Sequence, residues 1–195
     1  MSAKAVLVND SEKISKLDMQ IAVQCAPVLL GLKVANILIT EKENEKRVVC
    51  IFKNTGISIY PLSKNHAKVY FLVYRQELLF AYLENRSVAE FLEELGYCGS
   101  CMAKIRQFAE KFSSYSGKKE EFPHEMGIFL GYPLVDVVGF IKNQGKNFLY
   151  AGYWKVYDNL NATRRTFRNY DRAGAVVQNM IISGISMQKF MQCGL

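Results

Sequence analysis

The stretch Ala67-Lys68-Val69-Tyr70-Phe71-Leu72-Val73-Tyr74 decides the fold. Side chains alternate across a strand, so Val69, Phe71 and Val73 face one way and Tyr70, Leu72 and Tyr74 the other. Both sets are apolar or aromatic. Such a strand belongs in the middle of a sheet that is covered on both sides. Ile57 to Leu62 is a second strand-like run, and Ser63 to His66 between the two fits a hairpin. Ala35 to Thr40 reads as a short strand upstream. Asn147 to Tyr157 reads as a long strand downstream, with aromatics on both faces.

Helices fill the intervals. Asp10 or Ser11 is placed to cap a first helix in which Ile14, Leu17, Ile21 and Cys25 recur at helical spacing. Pro27 and Gly31 end or kink it. Glu41 to Lys46 is a charged turn or the first turn of a second helix, with Gly56 as its stop. Ser87-Val88-Ala89-Glu90 has the form of a capping box, in which serine and glutamate satisfy each other's amides. A helix then carries Phe91, Leu92 and Leu95 to Gly96. Another runs from about Ser100 to Ser114 with Ile105, Phe108 and Phe112 inward, followed by a polar connection to Glu121. Pro123 opens a short helix that Gly131 and Pro133 end. Leu134 to Lys142 forms a further helix, stopped near Gly145. From Asn159 a last helix turns Phe167, Tyr170, Gly174, Val177 and Ile181 inward and Arg164, Arg168 and Arg172 outward. The order of elements favours a mixed α/β (α+β) fold: one domain over residues 1–195, with a mixed central sheet of about four to five strands flanked by helices.

Composition agrees with a folded domain. Half of the 195 residues are hydrophobic, enough for a sizeable core. No targeting pattern precedes the first helix. The most apolar stretch, Ala26 to Thr40, is broken by Pro27, Gly31 and Lys33 and falls short of a bilayer span. The expected location is the cytosol, with no membrane partner. Five cysteines without a secretory signal read as free thiols. Two histidines give little basis for a metal site, and none is expected. A net charge of +7 permits an acidic partner without requiring one.

Three stretches carry a resemblance. They are Cys25-Ala-Pro-Val-Leu-Leu-Gly-Leu-Lys-Val-Ala-Asn36, Phe122-Pro-His-Glu-Met-Gly-Ile-Phe-Leu-Gly-Tyr-Pro133 and Gly152-Tyr-Trp-Lys-Val-Tyr157. On them the chain resembles the bacterial domain-of-unknown-function family 3793, found mostly in Firmicutes such as clostridia. The resemblance implies a cytosolic domain and brings no catalytic residue with it. The chain departs from the family pattern at Val34, where proline is usual, and at Cys98 and Cys101.

Chemistry is most concentrated between Phe122 and Tyr157. A helix start at Pro123 leaves backbone amides that suit an anion. His124 supplies an imidazole, a candidate acid–base group, and Glu125 beside it suits a base or an orienting group. The plainer alternative is that Glu125 serves the helix terminus and Gly127 and Gly131 serve packing. Tyr153, Lys155 and Tyr157 would share a strand face, where a lysine between rings could meet an anionic ligand. Equally, the lysine stem could lie along apolar surface with its ammonium in water. Cys25 is a candidate nucleophile with His124 as base, set against a place on an apolar helix face. Cys98-Gly99-Ser100-Cys101 has dithiol spacing at a helix start but follows no strand. Arg164, Arg165, Arg168 and Arg172 read as a solvated face before nucleic acid, since no exposed aromatic neighbour is expected.

The leading expectation is a ligand-binding or regulatory domain for an anionic small molecule or cofactor, with His124, Glu125, Tyr132, Tyr153, Lys155 and Tyr157 at the pocket. One alternative is a Cys-His hydrolase or acyl transferase using Cys25, His124 and Glu125. A second is a protein-interaction module acting through the last helix. No nucleotide-binding glycine loop, metalloprotease helix or serine elbow is present. The sequence therefore names no cofactor, leaves enzymatic activity open and does not set the oligomeric state.

Overall fold

The computed structural model describes residues 15–116 and 123–192. Asp10, Ser11, Ile14, Phe122, Cys193 and the whole of the 117–121 connection lie outside the described residues. The first helix, α1, is Lys16–Leu29, and Ser15 caps it by accepting from the Asp18 amide. The chain continues through strand β1 (Ala35–Glu41), a single 3-10 turn (Lys42–Asn44) and α2 (Glu45–Phe52). Strands β2 (Ser58–Lys64) and β3 (Lys68–Tyr74) form the expected hairpin.

The sheet order is β1-β3-β2, and both pairings are antiparallel. The expected mixed sheet of four to five strands is corrected to three antiparallel strands. The fourth run, 147–157, forms a separate two-stranded hairpin, β4 (Tyr150–Ala151) and β5 (Lys155–Val156). β3 occupies the centre. Val69, Phe71 and Val73 join a core with α1, α2, and the last two helices α8 (Leu160–Ile182) and α9 (Met187–Gln192). Leu72 and Tyr74 join a second core on the other face. There they meet α3 (Gln76–Leu83), α4 (Arg86–Glu94), α5 (Cys101–Ser116), α6 (Met126–Phe129) and α7 (Leu134–Lys142). Pro61 sits in β2, an edge strand, at a register shift, where its missing N–H costs no ladder bond.

Two helix starts differ from expectation. Sequence patterning did not single out α3. The α4 cap is Asn85, whose side chain accepts from the Ser87 amide; Ser87 lies inside the helix and Glu90 pairs with Arg86. Asn85 is the first residue beyond the α3 turn that can serve both ends, so it displaces the capping box. α1 continues through Pro27 and ends in a Schellman turn. Gly31 has φ of 71°, the Leu32 amide donates to the Pro27 carbonyl, and the Gly31 amide donates to Val28. Arg75 adds a second donor to Val28 O at 2.8 Å and satisfies Leu29 O at 2.6 Å.

Candidate functional site

The site is organised by one carboxylate on α7. Asp136 is buried. Its Oδ2 accepts from Trp154 Nε1 at 2.7 Å, and its Oδ1 accepts from the Tyr157 amide at 2.7 Å and the Asp158 amide at 3.2 Å. A single acid thus ties the β4–β5 hairpin and its exit to the helix. Gly152 sets the other side of the hairpin: a Cβ there would lie 2.3 Å from the Phe167 ring of α8. The backbone must touch α8, and only glycine permits it.

Between α6, α7 and the hairpin lies a cavity of about 320 Å³. Tyr132 and Trp154, stacked at 4.8 Å, form one wall. Met126, Val137 and Phe140 add apolar surface, while His124 and Lys155 bring polar tips. The His124 ring lies 5.3 Å from the Phe140 ring. Lys155 Nζ donates to the Gly145 carbonyl at 2.7 Å and stands over the rings of Phe148 (4.9 Å) and Phe140 (5.5 Å). Among the described residues no carboxylate lies within ion-pair distance of it. Burial pushes the Tyr132 phenol up to about 12, so it stays neutral.

His124, Tyr132 and Lys155 therefore line one cavity. The other expected site residues point elsewhere. Glu125 is buried away from His124, where it accepts from Tyr97 Oη at 2.9 Å and pairs with Lys111 at 3.3 Å. Cys25 is fully enclosed in the α1 core, on the other side of the sheet from the core that Tyr132 packs against. Burial raises its thiol to about 12, which holds it as an inert thiol. Tyr153, Lys155 and Tyr157 do not share a face, because the expected strand folds back at 152–154. Tyr153 leans on α8 and donates to Asp171 at 2.9 Å. Tyr157 packs where a Cβ on Gly139 would clash, and its phenol oxygen is buried without a partner among the described residues.

The anion-binding amides expected after Pro123 are already used within the turn: those of Met126, Gly127 and Ile128 donate to Pro123, His124 and Glu125. Gly127 and Gly131 admit Val137, Tyr132 and Val34. Cys98 and Cys101 are free, one exposed and one buried. Burial, then a hydrogen bond to Glu84, pushes the Cys101 thiol up, opposite to a reactive dithiol. The arginine face does have an aromatic neighbour: Arg164 stacks 5.2 Å from the ring of exposed Tyr150. Among the described residues no group of three His, Cys, Asp or Glu could hold a metal ion, and no helix is long and apolar enough to cross a membrane.

Sequence reasoning passed over Asp136, Trp154, Phe140 and Lys33 as site residues. Asp136 had one signal, as the sole acid in an otherwise apolar helix, but an acid in a first turn is ordinary for a helix. A family model described as a protein of unknown function (DUF3793) matches residues 21–191. No curated protein and no solved structure matches the chain.

Proposed function

The chain belongs to the DUF3793 family of proteins of unknown function, and from that premise we propose that it binds a small aromatic or flat apolar molecule carrying one negative charge. The reading rests on one observation. A lysine ammonium with no carboxylate partner among the described residues stands beside an apolar, aromatic-walled cavity that also holds an imidazole. Apolar walls supply affinity, and one or two polar groups supply orientation. The ligand's ring would lie along the Tyr132–Trp154 wall, and its anionic group would meet Lys155, with His124 as a further donor. The cavity volume, about 320 Å³, is at the small end of ligand pockets, which run from about 300 Å³ upward. Binding without turnover fits this set better than acyl transfer, because the nucleophile proposed for transfer, Cys25, is sealed in the core.

Trp154 is the only tryptophan of the chain, so the protein carries its own reporter at the cavity wall. Benzoate, phenylacetate and phenylpropionate, each a flat ring with one carboxylate, would be titrated against tryptophan emission. At least one should give a saturable change, and Lys155→Met should weaken it by about tenfold or more, the equivalent of about 1.4 kcal/mol. Unchanged emission with every probe, or an affinity indifferent to Lys155→Met, would remove this reading.

A further inference from the structure

A second cavity, of about 400 Å³, lies between α1, β1, the β4–β5 turn and α8. It shares no lining residue with the first. At its base is Lys33, 4% exposed. The Schellman turn places it there, since the Lys33 amide donates back to the Pro27 carbonyl at 3.1 Å. Its ammonium donates to Asn36 Oδ1 at 2.9 Å and lies 5.1 Å from the Tyr132 ring centroid. Both partners are neutral. Among the described residues no carboxylate is within ion-pair distance.

Three of the polar residues that line it, Gln24, Asn36 and Asp171, are committed elsewhere. The Gln24 amide is spent on the free edge of β1, donating to Ile39 O at 3.0 Å and accepting from Ile39 N at 2.8 Å. The Asn36 Nδ2 donates to the Gln24 carbonyl. Asp171, exposed toward solvent, accepts from Tyr153. A buried ammonium with one neutral acceptor and no counter-charge among the described residues keeps unused donors, an arrangement that a bound anion completes.

We propose that this cavity is a second small-molecule site, in which the Lys33 ammonium takes the carboxylate of a small organic acid. Asp171 restricts the class. A second negative charge at the far end of the ligand would face it, whereas a neutral or amine-bearing end would not. Monocarboxylates and amino acids fit; dicarboxylates fit poorly. Burial holds the ammonium down at about 8. A carboxylate beside it raises that value. Of the groups around it, Cys25, Tyr132, Tyr153 and Tyr170 are each held up at about 12 by burial. They stay neutral, so Asp171 is the charged neighbour.

The test is side-chain NMR of the full chain carrying 13C-labelled lysine, with the Lys33 resonance assigned through Lys33→Arg. Butyrate, glutamine and succinate are the probes. Butyrate or glutamine should shift the Lys33 Cε resonance saturably and raise its titration midpoint, with succinate weaker. Asp171→Asn should bring succinate level with butyrate. Lys33→Met should reduce the affinity seen by calorimetry about thirtyfold or more. A Lys33 resonance that ignores all three probes at millimolar concentration overturns the proposal, and this titration is read on the unaltered chain. Calorimetric binding that survives Lys33→Met overturns it as well. Trp154 emission reports the first cavity and the Lys33 resonance the second, so the two proposals fail separately.

Discussion

Lys33 and Cys25 show how burial alone gives a residue its chemistry. Desolvation moves the lysine from its ordinary 10.5 down to about 8, and the thiol from 9.0 up to about 12. Each shift carries a sign for stability. Between about pH 8 and 10.5 the unfolded chain keeps a lysine proton that the folded chain has released, so stability rises with pH. From 9 to about 12 the folded chain keeps a thiol proton that the unfolded chain has lost, so stability falls. The two oppose each other above pH 9. Urea midpoints should therefore climb from pH 8 to 9, by at most about 1.4 kcal/mol per pH unit, and then level or drop. Lys33→Met should abolish the climb, and a wild-type midpoint that falls over that interval would contradict the assignment. The apolar helix face on which Cys25 falls pointed to its burial, whereas no such sign in the sequence marked Lys33. Lys33 reads as an interruption in an apolar run, and its burial is completed by Asn36, Tyr132 and α8.

The β4–β5 hairpin is the element whose form could not be read locally. Asn147 to Tyr157 has the aromatic content of a long strand, but its reversal at 152–154 is imposed from outside. Phe167 requires Gly152 to lie flat on α8, and Asp136 pulls Trp154 and the Tyr157 amide toward α7. Asp136→Asn keeps the shape and one acceptor while losing the charge and one oxygen. It should cost about 2 kcal/mol or more, as expected for hydrogen bonds to a charged group. Trp154 emission should shift to the red as the indole loosens. Equal denaturation midpoints for variant and wild type would show that the carboxylate does not hold the hairpin. The α4 cap was misread for a different reason, since Asn85 and Ser87 compete within three residues and either satisfies the local rule.

At the scale of the molecule, β3 is the central member. It is paired on both sides and has apolar neighbours on both faces. Its amides from Val69 to Val73 should be the slowest to exchange with deuterium and should open only with global unfolding. The β4–β5 amides should exchange much faster, since each strand is two residues long and β4 is exposed. Exchange from β3 as fast as from the hairpin would place the stability centre elsewhere. The two cavities lie where helices from the two sides of this sheet approach the hairpin, the first lined from α6 and α7 and the second from α1 and α8.

The sequence by itself determined the elements that depend on near neighbours. These are the two-faced β3, its hairpin with β2, and the inward faces of α1, α5 and α8, because periodic burial is written residue by residue. It also marked His124, Tyr132 and Lys155 as a chemistry-bearing set. Only the tertiary structure decided that these three line one cavity, that Glu125 and Cys25 turn away from it, and that Lys33 is buried with no counter-charge among the described residues. Those outcomes depend on which distant side chain fills the space beside each group, and hydrophobic periodicity carries no information about the partner across a gap.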